Sequence, residues 1–246
     1  MRVLSGALDS VLEAHAESGK PLGIVVAGHN GSGKSTMWRK HLSPRLQIPL
    51  VNADRMMLSV LPELSSKGQL PDWAAQLRDQ DESWMSVAQK GVEAFVAQAM
   101  GHGVPFAMET VFSHWRPLAD GTIESKIQLI EQMQAAGYFV LLCFVGLSNV
   151  QISVARVSSR VAEGGHAVDL ERLESRFPRT QRAIALAASS ADATILIDNS
   201  LDRKRAFSVC RIQLGVEEIF DVRGSDEAVP NAIREWLDVV SRRPPV

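Results

Sequence analysis

The sequence predicts an α/β fold: a doubly wound sheet of about five parallel strands flanked by helices. Three observations carry that prediction. Short apolar, β-branched runs alternate with amphipathic helical stretches along most of the chain, the pattern of strand–helix–strand units with right-handed crossovers. Tyr138 to Val145 is a continuous apolar run, as expected of a central parallel strand covered on both faces. Between the first strand and the helix that follows it stands Gly28-His29-Asn30-Gly31-Ser32-Gly33-Lys34-Ser35, a glycine-rich stretch ending in a lysine and a hydroxyl.

Taken in order, Leu4, Leu8, Val11 and Leu12 recur at helical spacing over residues 3–18, and Gly19 ends that helix. Gly23 to Ala27 is the first strand, and Lys34 to Leu42, free of Pro and Gly, reads as a helix. Ile48 to Ala53 reads as a second strand ending in Asp54, which puts polar residues at its carboxyl end, where open parallel sheets bind ligands. Residues 61–70, rich in Pro, Ser and Gly, form a loop. A long helical region begins at Asp72, with Ala88, Val92, Phe95, Val96 and Ala99 on one stripe, and is stopped by Gly101 and Gly103.

Val104 to Met108 is a third strand, with Glu109 and Thr110 at its end. The next helix, from about Thr122, turns Ile123, Ile127, Ile130 and Met133 inward and closes at Gly137. After the apolar fourth strand, residues 149–162 form a helix with a stripe of Val150, Val154, Val157 and Val161. Gly164-Gly165-His166 separates it from a further helix, which Pro178 breaks by disfavouring the helical region for Phe177. Ala193 to Ile197 is a fifth strand. Phe207 to Gln213 and Val216 to Val222 read as a C-terminal β-hairpin extension around Gly215, before a last helix near Asn231 to Val240. No internal repeat or linker divides the chain, so residues 1–246 are expected to form one domain, with a core over about 20–200 and an extension over 201–246.

Of 246 residues, 46% are hydrophobic and 22% are charged, with a formal net charge of -2, which suits one α/β domain with a good-sized core. Near-neutral charge gives no general attraction to nucleic acid or to an anionic membrane, so any phosphate recognition must come from locally placed arginines. The amino terminus lacks the apolar core of a signal peptide, and no apolar run approaches the roughly twenty residues of a membrane span. A cytoplasmic protein is therefore the expectation. Cys143 and Cys210 lie far apart without metal-type partners and read as buried thiols. Internal helix and strand faces account for the apolar residues, which favours a monomer.

The glycine-rich stretch fits the phosphate-binding pattern G-x-x-x-x-G-K-[ST], the P-loop. Glycines let successive backbone N–H groups turn inward around a phosphate, and the helix starting near Lys34 points the positive end of its dipole at the same anion. Gly28, Asn30, Gly31, Ser32, Gly33, Lys34, Ser35 and Thr36 form the nucleotide cradle on this reading. Lys34 reaches the β- and γ-phosphates, and Ser35 ligates Mg²⁺.

Phosphoryl transfer needs a held nucleotide, a positioned acceptor and positive charge around the moving group. Asp54 is the candidate to orient and deprotonate an acceptor hydroxyl, and helix capping is its alternative role. Glu109 ends the third strand, where it acts on Mg²⁺ through a water or binds substrate; Thr110 and Ser113 offer hydroxyls there or make turns. Arg156 and Arg160 lie one helical turn apart, with Glu163 a partial counter-charge. With Arg176, Arg179 and Arg182 on the next helix, they read either as a lid that closes over phosphates or as solvated helix faces. The acidic run Asp79, Asp81 and Glu82 reads as a solvated face, and His114 and His166 as structural.

Several ordered motifs together resemble the zeta-toxin-like P-loop kinases. They are Asn52-Ala53-Asp54, Glu109 to Ser113, Phe144 to Leu147, Arg160-Val161 through Gly164-Gly165-His166, Arg176-Phe177 with Arg179-Thr180, and Asp198-Asn199-Ser200. The resemblance runs from about Gly23 to Ser200 and implies a kinase core using ATP and Mg²⁺. The best-known members of that family phosphorylate the sugar 3′-hydroxyl of UDP-N-acetylglucosamine. Carried over by motif, Lys34 and Ser35 hold nucleotide and metal, and Asp54 is the general base. Asn52, Glu109 and Thr110 face the substrate, and Arg160 with Arg176 stabilises the transferring phosphoryl group.

Pro178 departs from the continuous helix expected at that point. The chain resembles the broader zeta-like group more than the plasmid toxins, so neither toxicity nor an antitoxin partner follows. The leading expectation is an ATP-dependent kinase acting on a hydroxyl of a UDP-sugar. A kinase for a nucleoside or dinucleotide, and a nucleotide-dependent interaction switch, are the alternatives.

Overall fold

A computed structural model describes residues 3–63, 65, 69–162, 168–225 and 228–241. The central sheet has the strand order β2-β3-β1-β6-β7-β8-β9, where β1 is Leu22–Gly28, β2 Leu50–Val51, β3 Phe106–Thr110, β6 Phe139–Gly146, β7 Ala193–Asp198, β8 Ser208–Leu214 and β9 Glu217–Asp221. The first five in this order are parallel, and β8 and β9 add antiparallel to β7. From β1 the chain crosses to the edge strand β2, returns to place β3 between β2 and β1, and then builds the other side from β6, so the carboxyl end of β1 lies where the winding changes side and such sheets hold ligands. A separate hairpin pairs β4 (Trp115–Pro117) with β5 (Ile123–Ser125).

The period-two alternation of strands sorts the core into two faces. Val25, Ala27, Leu142, Phe144 and Leu196 point to one side, where helices α6 (Glu82–His102), α7 (Ile127–Ala135), α9 (Leu170–Ser190) and α10 (Asn231–Val240) cover them. Ile24, Val26, Leu141, Cys143 and Ile195 point to the other, beneath α1 (Leu4–Ser18) and the helix after the glycine-rich loop. Both cysteines are buried free thiols. Gly19, at φ 65, closes α1 in the left-handed conformation that a residue with a Cβ disfavours.

Several local expectations are corrected. The second strand is only Leu50–Val51, because Pro49 has no N–H to donate and Asn52 already starts α4 (Ala53–Ser59). The long helical region divides into α5 (Asp72–Gln80) and α6, with Asp81 accepting hydrogen bonds from the backbone N–H groups of Ser83 at 2.9 Å and Trp84 at 3.1 Å. Helix α6 runs through Gly101 and stops at Gly103 alone. Ile123 belongs to β5, not to a helix. The turn into α7 is fixed by the Gln128 side chain, which accepts from the Ser125 N–H at 2.7 Å. In α8 (Val150–Ala162) Val157 is buried but Val161 is exposed, and Ser153 takes an inward place.

Pro178 does not break its helix: α9 is continuous through it. The proline lies on the exposed side, where water can solvate the carbonyl it frees, while Leu173, Phe177 and Thr180 are buried. Glu163 and Gly164-Gly165-His166 lie outside the described residues.

Gly146, at the carboxyl end of β6, lies under Trp236 of α10; a Cβ there would meet Cζ2 of the indole at 2.1 Å. Gly146→Ala is expected to displace α10 and cost about 1–3 kcal/mol in denaturant unfolding. An unchanged midpoint would show that α10 yields freely.

Candidate active site

The loop Gly28 to Ser35 leaves β1 and enters α2 (Lys34–Met37), which continues as a π-helical turn over Trp38–Leu42 and then α3 (Ser43–Leu46). Close packing explains its glycines. A Cβ on Gly28 would lie 2.5 Å from the carbonyl oxygen of Val145. Gly33 combines φ 94 with the Asn199 amide nitrogen only 2.7 Å from where a Cβ would stand.

Lys34 is buried, and its Nζ donates to the carbonyl oxygens of Gly28 at 3.0 Å and His29 at 3.1 Å. Burial lowers its pKa; the carboxylates of Glu109 and Asp54 raise it, and the Arg160 guanidinium lowers it further. Groups from the loop, from α4, from β3 and from α8 therefore converge electrostatically on one ammonium. The Ser35 hydroxyl donates to the Glu109 carboxylate, at 2.8 Å to Oε1 and 3.1 Å to Oε2.

The N-cap of α4 is Asn52, whose Oδ1 accepts from the Arg55 N–H at 3.1 Å. Asp54 is thus released from capping and sits exposed in the first turn of α4. Thr110 Oγ1 accepts from the Phe112 N–H at 3.2 Å, holding a turn in which Phe112 adopts φ 62, a region costly for a bulky residue. Arg176 is half-buried on α9; burial lowers its pKa, neighbouring Arg172 and Arg179 lower it further, and Asp54 raises it. Arg179 is turned onto its own helix, with Nε donating to the Ser175 carbonyl at 2.9 Å. His114, read from the sequence as structural, pairs with Glu124 at 2.6 Å beside the β4–β5 hairpin.

Three features of the site carry little signal in the sequence. Asn199, just beyond β7, donates from Nδ2 to the Ser32 carbonyl at 2.8 Å; the Asp198-Asn199-Ser200 motif marks the position, but nothing in it names the partner. Ser153 of α8 donates to the Asn30 carbonyl at 2.7 Å. His29 is stacked on Phe177 of α9 with ring centroids 3.9 Å apart and planes 14° from parallel, and it meets the edge of Phe144 at 5.6 Å.

Burial, helped by Lys34, pulls the His29 pKa from 6.5 to about 3. The unfolded chain binds this proton near pH 6.5 and the folded state only near pH 3. Stability present at neutral pH is therefore lost as pH falls through that window, at up to about 1.4 kcal/mol per pH unit. Denaturant unfolding at pH 7 and pH 5 should show the parent losing about 2 kcal/mol more than His29→Phe does. Equal losses would mean that the imidazole titrates as it does in water.

Mg²⁺ prefers hard oxygen ligands, few from the protein and the rest from water and phosphate. The Ser35 hydroxyl and the Glu109 carboxylate, adjacent and outside the buried core, fit that ion. Among the described residues there is no group of three or more His, Cys, Asp or Glu that would form an all-protein metal cage.

The fold recurs in solved structures. The chain aligns over 96% of its length, and over 88% of the other chain, with a structure from the PezAT chromosomal toxin–antitoxin system of Streptococcus pneumoniae, at 13% identity and TM-score 0.53. It aligns over 98% of its length with the AvrRxo1-ORF1:ORF2 structure with ATP, covering 73% of that chain at 16% identity and TM-score 0.60. An uncharacterized protein of Haemophilus influenzae is 27% identical over 154 residues, which span 63% of this chain and 91% of the relative. Residues 7–209, which carry β1, the phosphate-binding loop, Asp54, Glu109 and both arginine-bearing helices, match the family model for zeta toxin, and the chain belongs to that family.

Proposed function

We propose that this chain is an ATP-dependent phosphotransferase that moves the γ-phosphoryl group to a hydroxyl of a small molecule, with a UDP-sugar such as UDP-N-acetylglucosamine as the first acceptor to test. The observation that carries this reading is the convergence on Lys34 of Glu109, Asp54 and Arg160, charges from three separate elements. Membership of the zeta toxin family supports the reading, as does a fold shared with a protein whose structure was solved with ATP.

The loop N–H groups and Lys34 hold the β- and γ-phosphates. Ser35 and Glu109 would hold Mg²⁺, which would neutralise phosphate charge. Asp54 accepts the proton of the acceptor hydroxyl as its oxygen bonds to the γ-phosphorus and the bond to the ADP oxygen breaks. Arg160 and Arg176 stabilise charge on the transferring group, and Asn52, Glu109 and Thr110 line the acceptor side. Glu109 thus serves both sides of the transfer.

The test is mass spectrometry of purified protein incubated with ATP, Mg²⁺ and a panel of UDP-sugars, nucleosides and dinucleotides. A gain of one phosphate on a UDP-sugar is the expected result. Gain on a nucleoside or dinucleotide alone would reassign the acceptor. No product with any acceptor, despite tight ATP binding, would overturn the kinase reading.

A further inference from the structure

The geometry points to the His29–Phe177 stack as a positioning device that sets the place of Arg176 relative to the phosphate-binding loop, an inference that rests on the phosphotransferase reading for what Arg176 does. His29 occupies the first variable position of the loop and is 2% exposed. Its ring lies parallel to Phe177 at 3.9 Å, and Nε2 has no hydrogen-bond partner among the described residues. An imidazole placed here for hydrogen bonding would have that nitrogen paired. It is used instead as a flat, neutral ring, and a stacked pair of this kind fixes both separation and rotation of the elements that carry it.

Those elements are the two halves of the site. The His29 carbonyl accepts from Lys34 Nζ at 3.1 Å, so the ring and the catalytic ammonium share one backbone unit. Phe177 adjoins Arg176, and both line a small cavity with His29, Asn30 and Ser153. One turn beyond, Thr180 donates to the Val111 carbonyl at 3.2 Å, tying α9 to the loop after β3. The two attachments differ in kind. The hydrogen bond holds α9 to the acceptor side, and the ring stack sets its height over the loop.

The experiment uses the full chain with Phe177→Leu, which keeps apolar bulk without a ring plane, Phe177→Tyr, which keeps the ring, and His29→Leu with the double variant. Phe177→Leu is expected to lower kcat on the order of 100-fold, the scale of an ångström-level misplacement, with KM for ATP changed less than about threefold. Phe177→Tyr should restore most of the turnover. The double variant should be no worse than the poorer single, since either change removes the same stack.

Amide hydrogen exchange over residues 170–182 is the second readout and needs no acceptor. It should rise in Phe177→Leu and His29→Leu and stay at the parent level in Phe177→Tyr. Parent-like exchange in Phe177→Leu overturns the inference even if no acceptor is ever phosphorylated. Additive losses in the double variant, or loss of ATP binding rather than turnover, overturn it where the kinase reading stands.

Discussion

Asp54→Asn is expected to lower turnover by roughly 10²- to 10⁴-fold, the usual scale for a general base, while ATP affinity stays within about twofold. The substitution keeps size and hydrogen-bonding shape and removes the negative charge. Because Asn52 already caps α4, the helix does not depend on Asp54, and its stability should change by only a few tenths of a kcal/mol through the helix dipole. Steady-state turnover, ATP titration and thermal melting of the same preparation separate these effects. If turnover survives intact, the proton goes elsewhere, and the chain is better read as a nucleotide-dependent switch.

Lys34→Ala should instead remove both steps. Loss of one preorganised cation costs on the order of 10³-fold in turnover, and on the proposed reading the same ammonium would also grip the β- and γ-phosphates, so ATP binding is expected to fall with it. Its burial has a second consequence. The carbonyls of Gly28 and His29 lose their donor, but the protein is also relieved of a desolvated cation, and these terms oppose. The melting temperature should therefore move far less than activity. Lys34→Met, which fills the space without charge, checks this: an inactive, well-folded protein is the expected outcome, and an unfolded one would make Lys34 a structural residue first.

The parts legible in the sequence were those whose signal is local. The phosphate-binding loop, the apolar β6, the hairpin around Gly215 and the helix Asn231–Val240 all stand close to where pattern alone puts them. Asn52-Ala53-Asp54 offers two capping side chains within three residues, and only the backbone path decides that Asn52 caps. The helix through Pro178 survives because its buried flank outweighs one lost hydrogen bond, a tertiary effect that local propensity omits. Asn199 meets Ser32 across 167 residues of chain, and His29 meets Phe177 across a comparable span, so neither partnership has any local pattern to betray it.

The family match ends at residue 209, yet the core shared with β1 and β6 includes Val222, Val229, Ile233, Trp236, Leu237 and Val240. Helix α10 packs against α9, and Arg223 ties it to the hairpin through Asp238 at 2.6 Å. The stretch without a shared family pattern is thus the backrest of the helix that carries Arg176. Substitutions there would tune how stiffly α9 presents Arg176, so a stretch remote in sequence from the phosphate-binding loop can set a property of the site.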